Sequence, residues 1–193
     1  MMQHADPVLL LLLYGVLPVW LIAGFCDWLC HRASDIETTS GSKESLIHLL
    51  MFLEMGIPLL AALLLQVNAL ILLVMIVLFL CHEATALWDV SYAVTTRRVS
   101  PIEQHIHSFL EMVPLMALLL VISRHWQQFL SLFGAGTERS DFTLRLRETP
   151  LPVGYLVTLM TAIILFEILP YLEEYWRGRR AAQHRATQGD PSG

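Results

Sequence analysis

A chain of 193 residues that is 55% hydrophobic and only 15% charged, with a mean hydropathy of +0.58, is too apolar for a soluble domain. Its formal net charge of -5 is spread along the chain with no basic stripe, which excludes nucleic-acid binding. Its three cysteines, Cys26, Cys30 and Cys81, lie within apolar stretches, so they read as small buried residues and not as a disulfide framework.

A membrane span needs about 20 consecutive apolar residues. Five stretches qualify: about 8–30, 45–66, 67–90, 105–123 and 152–172. The expected fold is all-α, a polytopic membrane protein with five transmembrane helices and a four-helix core. One integral-membrane domain covers 1–176, and 177–193 reads as a disordered basic cytoplasmic tail. The opening MMQHADP lacks the positive n-region of a secretory signal, so the first span is expected to be retained.

In chain order, span one is apolar as far as Asp27, after which Asp27, His31 and Asp35 recur every four residues. Thr38 to Lys43, TTSGSK, is a turn by composition. Glu44 and His48 open span two, again four apart. Glu54 lies roughly 120° around that helix from His48, and a bend at Gly56 and Pro58 would bring it in. Gln66 to Asn68 makes spans two and three a tight antiparallel hairpin.

Span three carries His82, Thr85, Asp89 and Tyr92 on one polar stripe, with Glu83 rotated by about 100°. After the Arg97-Arg98 turn, Ser100 and Pro101 signal a helix start. Glu103, His107 and Glu111 then share a face. Glu44 and Glu103 have a second reading, as a first-turn carboxylate and as the closing member of a capping box. His4, His105, His125 and His184 lie in tails, loops or on the wrong face and are set aside.

The long connection from Arg124 to Pro150 opens with RHWQQFLSLFG, a short interfacial helix, and continues with FTLRLRE, a short strand or extended lid. In span five, Glu167 has Tyr171 and Glu174 on its stripe. It either completes a site or pairs with an arginine of the Arg97-Arg98 turn.

Depth tests whether these stripes meet. At a rise of ~1.5 Å per residue, His31, His48, Asp89 and His107 lie roughly 6 to 11 Å from one membrane face and Asp27 about 12 Å. Glu54, His82 and Glu111 lie roughly 16 to 21 Å in. Ionisable groups in a span mark a functional interior. Histidine and carboxylate without thiolate suit iron, manganese or zinc. The expected metal set is Asp27, His31, His48, Glu54, His82, Asp89, His107 and Glu111, with Tyr92 and Glu83 as candidate catalytic groups.

This plan resembles that of membrane di-iron hydroxylases and desaturases and, more distantly, the ferritin-like carboxylate proteins. Paired HxxxH boxes are absent, and the ferritin-like ExxH is replaced by ExxxH at Glu44 with His48 and at Glu103 with His107. The expected function is a membrane-embedded di-iron oxidoreductase acting on a lipid or other hydrophobic substrate, served by an electron-donor protein and possible as a homodimer. Alternatives are an intramembrane zinc hydrolase of lipid amides or esters, and a divalent-cation or proton transporter. A bis-histidine haem protein would leave the many acids unexplained. Arg32, Lys43, Arg97, Arg98 and the arginines after 176 outweigh Arg124, Arg139, Arg145 and Arg147. The positive-inside rule then puts the C-terminus in the cytoplasm and the N-terminus outside, in a bacterial inner (plasma) membrane.

Overall fold

The structure, a computed structural model, describes residues 6–187. It is all-helical: α1 Pro7–Ala33, α2 Ser42–Leu64, α3 Ala69–Thr96, α4 Pro101–Arg124, the short α5 Trp126–Ser131, and α6 Val153–Thr187. All but α5 are long and apolar enough to cross a membrane.

Local chemistry sets the helix boundaries. Asp6 caps α1 by accepting from the amides of Val8 and Leu9 (2.9 and 3.2 Å), with Pro7 at the first helical position. After Ala33 the chain reverses through Asp35, at φ 49°, and Gly41, at φ 69°; the fully buried Ile36 pins this turn. Asn68 caps α3 through the Ile71 amide at 3.2 Å. The capping box expected at α4 is present in both halves: Ser100 Oγ accepts from the Glu103 amide (3.1 Å), and Glu103 Oε2 accepts from the Ser100 amide (3.3 Å).

The five long helices form a closed ring in the cyclic order α1, α4, α3, α2, α6. One half of that ring is apolar. Leu13, Leu17, Leu63, Leu151, Leu159 and Ile163 pack α1, α2 and α6 together, and Ile71, Leu72, Met75, Leu118, Val121 and Ile122 join α3 to α4. The other half buries acids and histidines while leucines face outward. Asp89 is 3% exposed and Leu87, two residues away, is 72% exposed. That polarity is the reverse of a soluble protein's.

One sequence expectation is corrected, and FTLRLRE takes the second of its two expected forms. The helix of span five does not stop near 172 but runs on to Thr187, so 177–187 is helical and not a disordered tail; 188–193 and His4 lie outside the described residues. It continues because it has a surface to pack on. Gly178 lies directly against the backbone at Ser42, Arg177 pairs with Glu37 (3.2 Å), and Arg185 donates to the Glu37 carbonyl (2.9 Å). FTLRLRE forms no sheet; its one bridge joins Leu146 to Leu65, and it lies as an extended cover over the α2–α3 turn, with Asn68 donating to the Thr143 carbonyl at 2.7 Å. The short helix expected after Arg124 is present as α5.

A Cβ on Gly178 would stand 2.8 Å from the Ser42 nitrogen. Gly178→Val is therefore expected to lose roughly 1–3 kcal/mol by overpacking, read as a lower midpoint in thermal unfolding of the detergent-solubilised protein.

Candidate metal centre

Each long helix delivers titratable side chains to one level inside the polar half. α1 gives Asp27 and His31, α2 Glu44 and His48, α3 Asp89, α4 Glu103 and His107, and α6 Glu167, Tyr171 and Glu174; all are buried. The spacing of three or four residues between partners on one helix is what points both members of each pair inward.

Imidazoles and carboxylates alternate around this level. His107 Nε2 lies 2.9 Å from Asp27 Oδ1, and Asp27 Oδ2 lies 3.4 Å from His31 Nε2. His31 Nδ1 is 3.1 Å from Glu174 Oε2, Glu174 Oε1 is 3.5 Å from His48 Nδ1, and His48 Nε2 is 3.2 Å from Asp89 Oδ2. The belt thus passes from α4 through α1, α6 and α2 to α3. The His31 and His48 rings stack at its centre, 4.5 Å apart and 9° from parallel. Ser45 Oγ donates to Glu174 (2.8 Å), and the Tyr171 hydroxyl donates to Asp27 or to the Gly24 carbonyl (3.2 and 3.1 Å).

Of the imidazole–carboxylate contacts in the belt, His31 Nδ1 with Glu174 and His48 Nε2 with Asp89 are hydrogen bonds, and the others are close approaches without hydrogen-bond geometry. Asp27 Oδ1, His31 Nε2, His48 Nδ1, Asp89 Oδ1 and Glu167 Oε1 are fully buried, yet none has a hydrogen bond of acceptable geometry. Buried polar atoms left unpaired are costly and need an explanation. Two sets already have one ligand atom each within 4.8 Å of the others: Asp27, His31 and His107, and His31, Glu44 and His48. With nitrogen and oxygen donors and no thiolate, these sets fit a first-row divalent metal.

The charges point the same way. Asp27, Glu44, Asp89, Glu103, Glu167 and Glu174 are all at most 6% exposed. The cation buried among them is Arg97, from the extended link between α3 and α4. It reaches in to Glu44 at 2.6 Å and Glu103 at 2.5 Å, with its side chain 2% exposed. Burial works against the Arg97 charge, but its hydrogen bonds to Glu44 and Glu103 outweigh this and hold the guanidinium above the ordinary arginine range. Six carboxyl groups against one guanidinium leave an excess that protons, on the histidines or on the carboxyls themselves, or bound cations must offset.

Protein-family models, curated proteins and solved structures yield no match to this chain.

Of the expected metal residues, Asp27, His31, His48, Asp89 and His107 meet. His82 and Glu111 do not join the belt; they line a cavity of about 350 Å³ beside it, and neither His82 nitrogen has a partner. Glu54 is not brought in by Pro58. It accepts from Thr85 Oγ1 at 2.9 Å on the α2–α3 seam. Tyr92 stands outside the site, donating to the Ser40 carbonyl (3.0 Å) beneath the Lys43 ammonium. Glu83 is half-buried near Glu111, off the belt. Glu103 is both cap and site residue, and Arg97 takes Glu44 and Glu103 and not Glu167. Glu174, absent from the expected ligand set, touches two imidazoles; its position seven residues after Glu167 on the same stripe was the signal for it.

Glu167 lies in a π-helical turn, Ile164–Ile168, with its carboxylate in the space that the missing side chain of Gly24 leaves open. Gly24→Ala should displace that carboxylate and lower stability, and Glu167→Ala in the same chain should restore part of the loss. A coupling of about 0.5–3 kcal/mol in a double-mutant cycle is the expected reading. Arg97→Met strands two buried carboxylates and should cost roughly 3–5 kcal/mol in chemical denaturation.

Proposed function

We propose that this chain is a membrane-embedded metalloenzyme in which the belt binds two divalent ions, iron by preference, to oxidise a hydrophobic substrate. The observation that carries this reading is the set of buried, unpaired nitrogen and oxygen atoms facing one another across the belt. Asp27 turns its two oxygens to two different imidazoles, and Glu174 does the same. Asp27 and Glu174 would hold the ions together with His107, His31 and His48, with Asp89 beside His48. Arg97, by holding Glu44 and Glu103, fixes the outer wall.

Iron in such a nitrogen and carboxylate setting supplies redox chemistry with dioxygen. The protein's own residues supply the surroundings. Asp27, His48, Asp89, His107 and Glu167, with His82 and Glu111, give the 350 Å³ cavity its polar lining; Trp20, Phe52, Leu59, Met160 and Ile163 are among its apolar wall. Leu60 of α2 and Ile164 of α6 line the cavity and are also 43% and 46% exposed, so the α2–α6 seam is a side entrance for a substrate arriving from lipid. The electrons come from a separate donor protein, and the distribution of arginine and lysine supports a cytoplasmic position for the belt.

Zinc hydrolysis of a lipid ester or amide needs only three protein ligands and a water, which leaves the surplus of buried acids without a purpose. A transmembrane ion or proton path needs polar groups at successive depths. Here the belt crosses the ring from helix to helix at one level, and the side chains of the other half are two apolar clusters that offer an ion no polar steps.

Elemental analysis of protein purified without added metal, together with its optical spectrum, is the test. About two irons per chain are expected, as for bundle-core carboxylate centres, and His48→Ala and His107→Ala should each abolish stoichiometric metal while the chain still inserts. One zinc per chain would move the reading to the hydrolase. Metal content unchanged in both variants would overturn the site itself.

A further inference from the structure

A second cavity, of about 110 Å³, lies in the apolar half. Trp20, Met55 and Leu59 line both it and the 350 Å³ cavity, so the two adjoin at these side chains and together would make one apolar channel. One end of the channel is the His/carboxylate belt. At the other end the lining includes Arg124, His125 and Arg147.

The charge at that far end is specific. Arg124 pairs with the Asp6 carboxylate. Arg147 has no carboxylate partner among the described residues; it donates to the carbonyls of Ala62 and Thr149, both at 3.2 Å. Burial, reinforced by Arg124 and Arg147, pulls the His125 imidazole down to about 4, so it is neutral at pH 7. The mouth therefore carries one unmatched guanidinium, half-buried at the end of a long apolar passage. His107 and Arg124 lie on the same helix at opposite ends of this passage, about 25 Å apart at ~1.5 Å per residue.

We infer that the channel binds a single-chain fatty carboxylate, with the carboxylate on Arg147 and the hydrocarbon chain running past Met55 toward His48 and Asp27. The matching is by charge and by width. A guanidinium fork suits a carboxylate, one unmatched positive charge suits a monoanion, and the narrow second cavity suits one chain and not two. Which carbons face the belt matters only under the metalloenzyme reading on which this inference rests: the chain, held at its carboxylate, would present carbons remote from it to the centre.

Binding can be measured without turnover. Hexadecanoate and hexadecanol are titrated onto the full chain in nanodiscs, for the wild type before and after chelator treatment and for Arg147→Gln and Met55→Trp. Hexadecanoate should bind at least tenfold tighter than the alcohol. Arg147→Gln should remove that difference by weakening the acid alone, and Met55→Trp should weaken the acid at least tenfold by closing the junction. Chelator treatment of the wild type, whatever metal it removes, should keep hexadecanoate binding, so loss of the metal reading and loss of this one are seen separately. Equal affinity for acid and alcohol in the wild type, or acid binding unchanged in either Arg147→Gln or Met55→Trp, would overturn the assignment.

Discussion

Burying six carboxylates around one guanidinium is the constraint on which the rest of this structure depends. An ionised carboxylate taken out of water costs several kcal/mol even after relaxation, and attraction to a partner offsets this only with good geometry and satisfied lone pairs. Glu44 and Glu103 meet that condition through Arg97. Asp27, Asp89 and Glu174 meet histidines instead, at distances of 2.9 to 3.5 Å, with several atoms left without hydrogen bonds. Such a cluster gains little as a stabiliser. The stability of the molecule is supplied elsewhere.

That supply is in the opposite half. The two apolar clusters close the ring of helices, and the extended cover from 137 to 152 ties down the α2–α3 turn through Thr143, Arg145 and Arg147. Near the belt the packing is by close backbone approach and by charge. Gly178 seats α6 on the start of α2, and Gly24 makes room for the Glu167 carboxylate. The division of labour places the rigid apolar framework at a distance from the polar chemistry, while the cavity joins the two.

Much of the site was legible because helical periodicity acts within a short stretch. Asp27 with His31, Glu44 with His48, and Glu103 with His107 each declare a common face at a spacing of four. Depth from a helix end then aligned pairs from different helices. The same reasoning over-reached where a stripe was taken as a destination. Tyr92 shares the stripe of His82 and Asp89, yet near the helix end it finds Ser40 and Lys43. Glu54 sits on a seam where Thr85 happened to be in reach. The end of span five was misplaced because its composition becomes basic and polar, whereas a packed partner at Glu37 and Ser42 keeps it helical.

The sequence by itself determined the all-α class, five helices long enough to span, the capping box at Ser100 and Glu103, and the inward pairs, because each depends on residues within a turn or two of one another. Only the tertiary structure decided which acids face which histidines, that Arg97 takes Glu44 and Glu103, that Glu174 lies between His31 and His48, and that two cavities meet at Met55. Those outcomes depend on the rotation of each helix and the order in which the helices close the ring. Rotation and order are fixed by packing between residues distant in the chain, and the spacing along one helix carries no record of its neighbour.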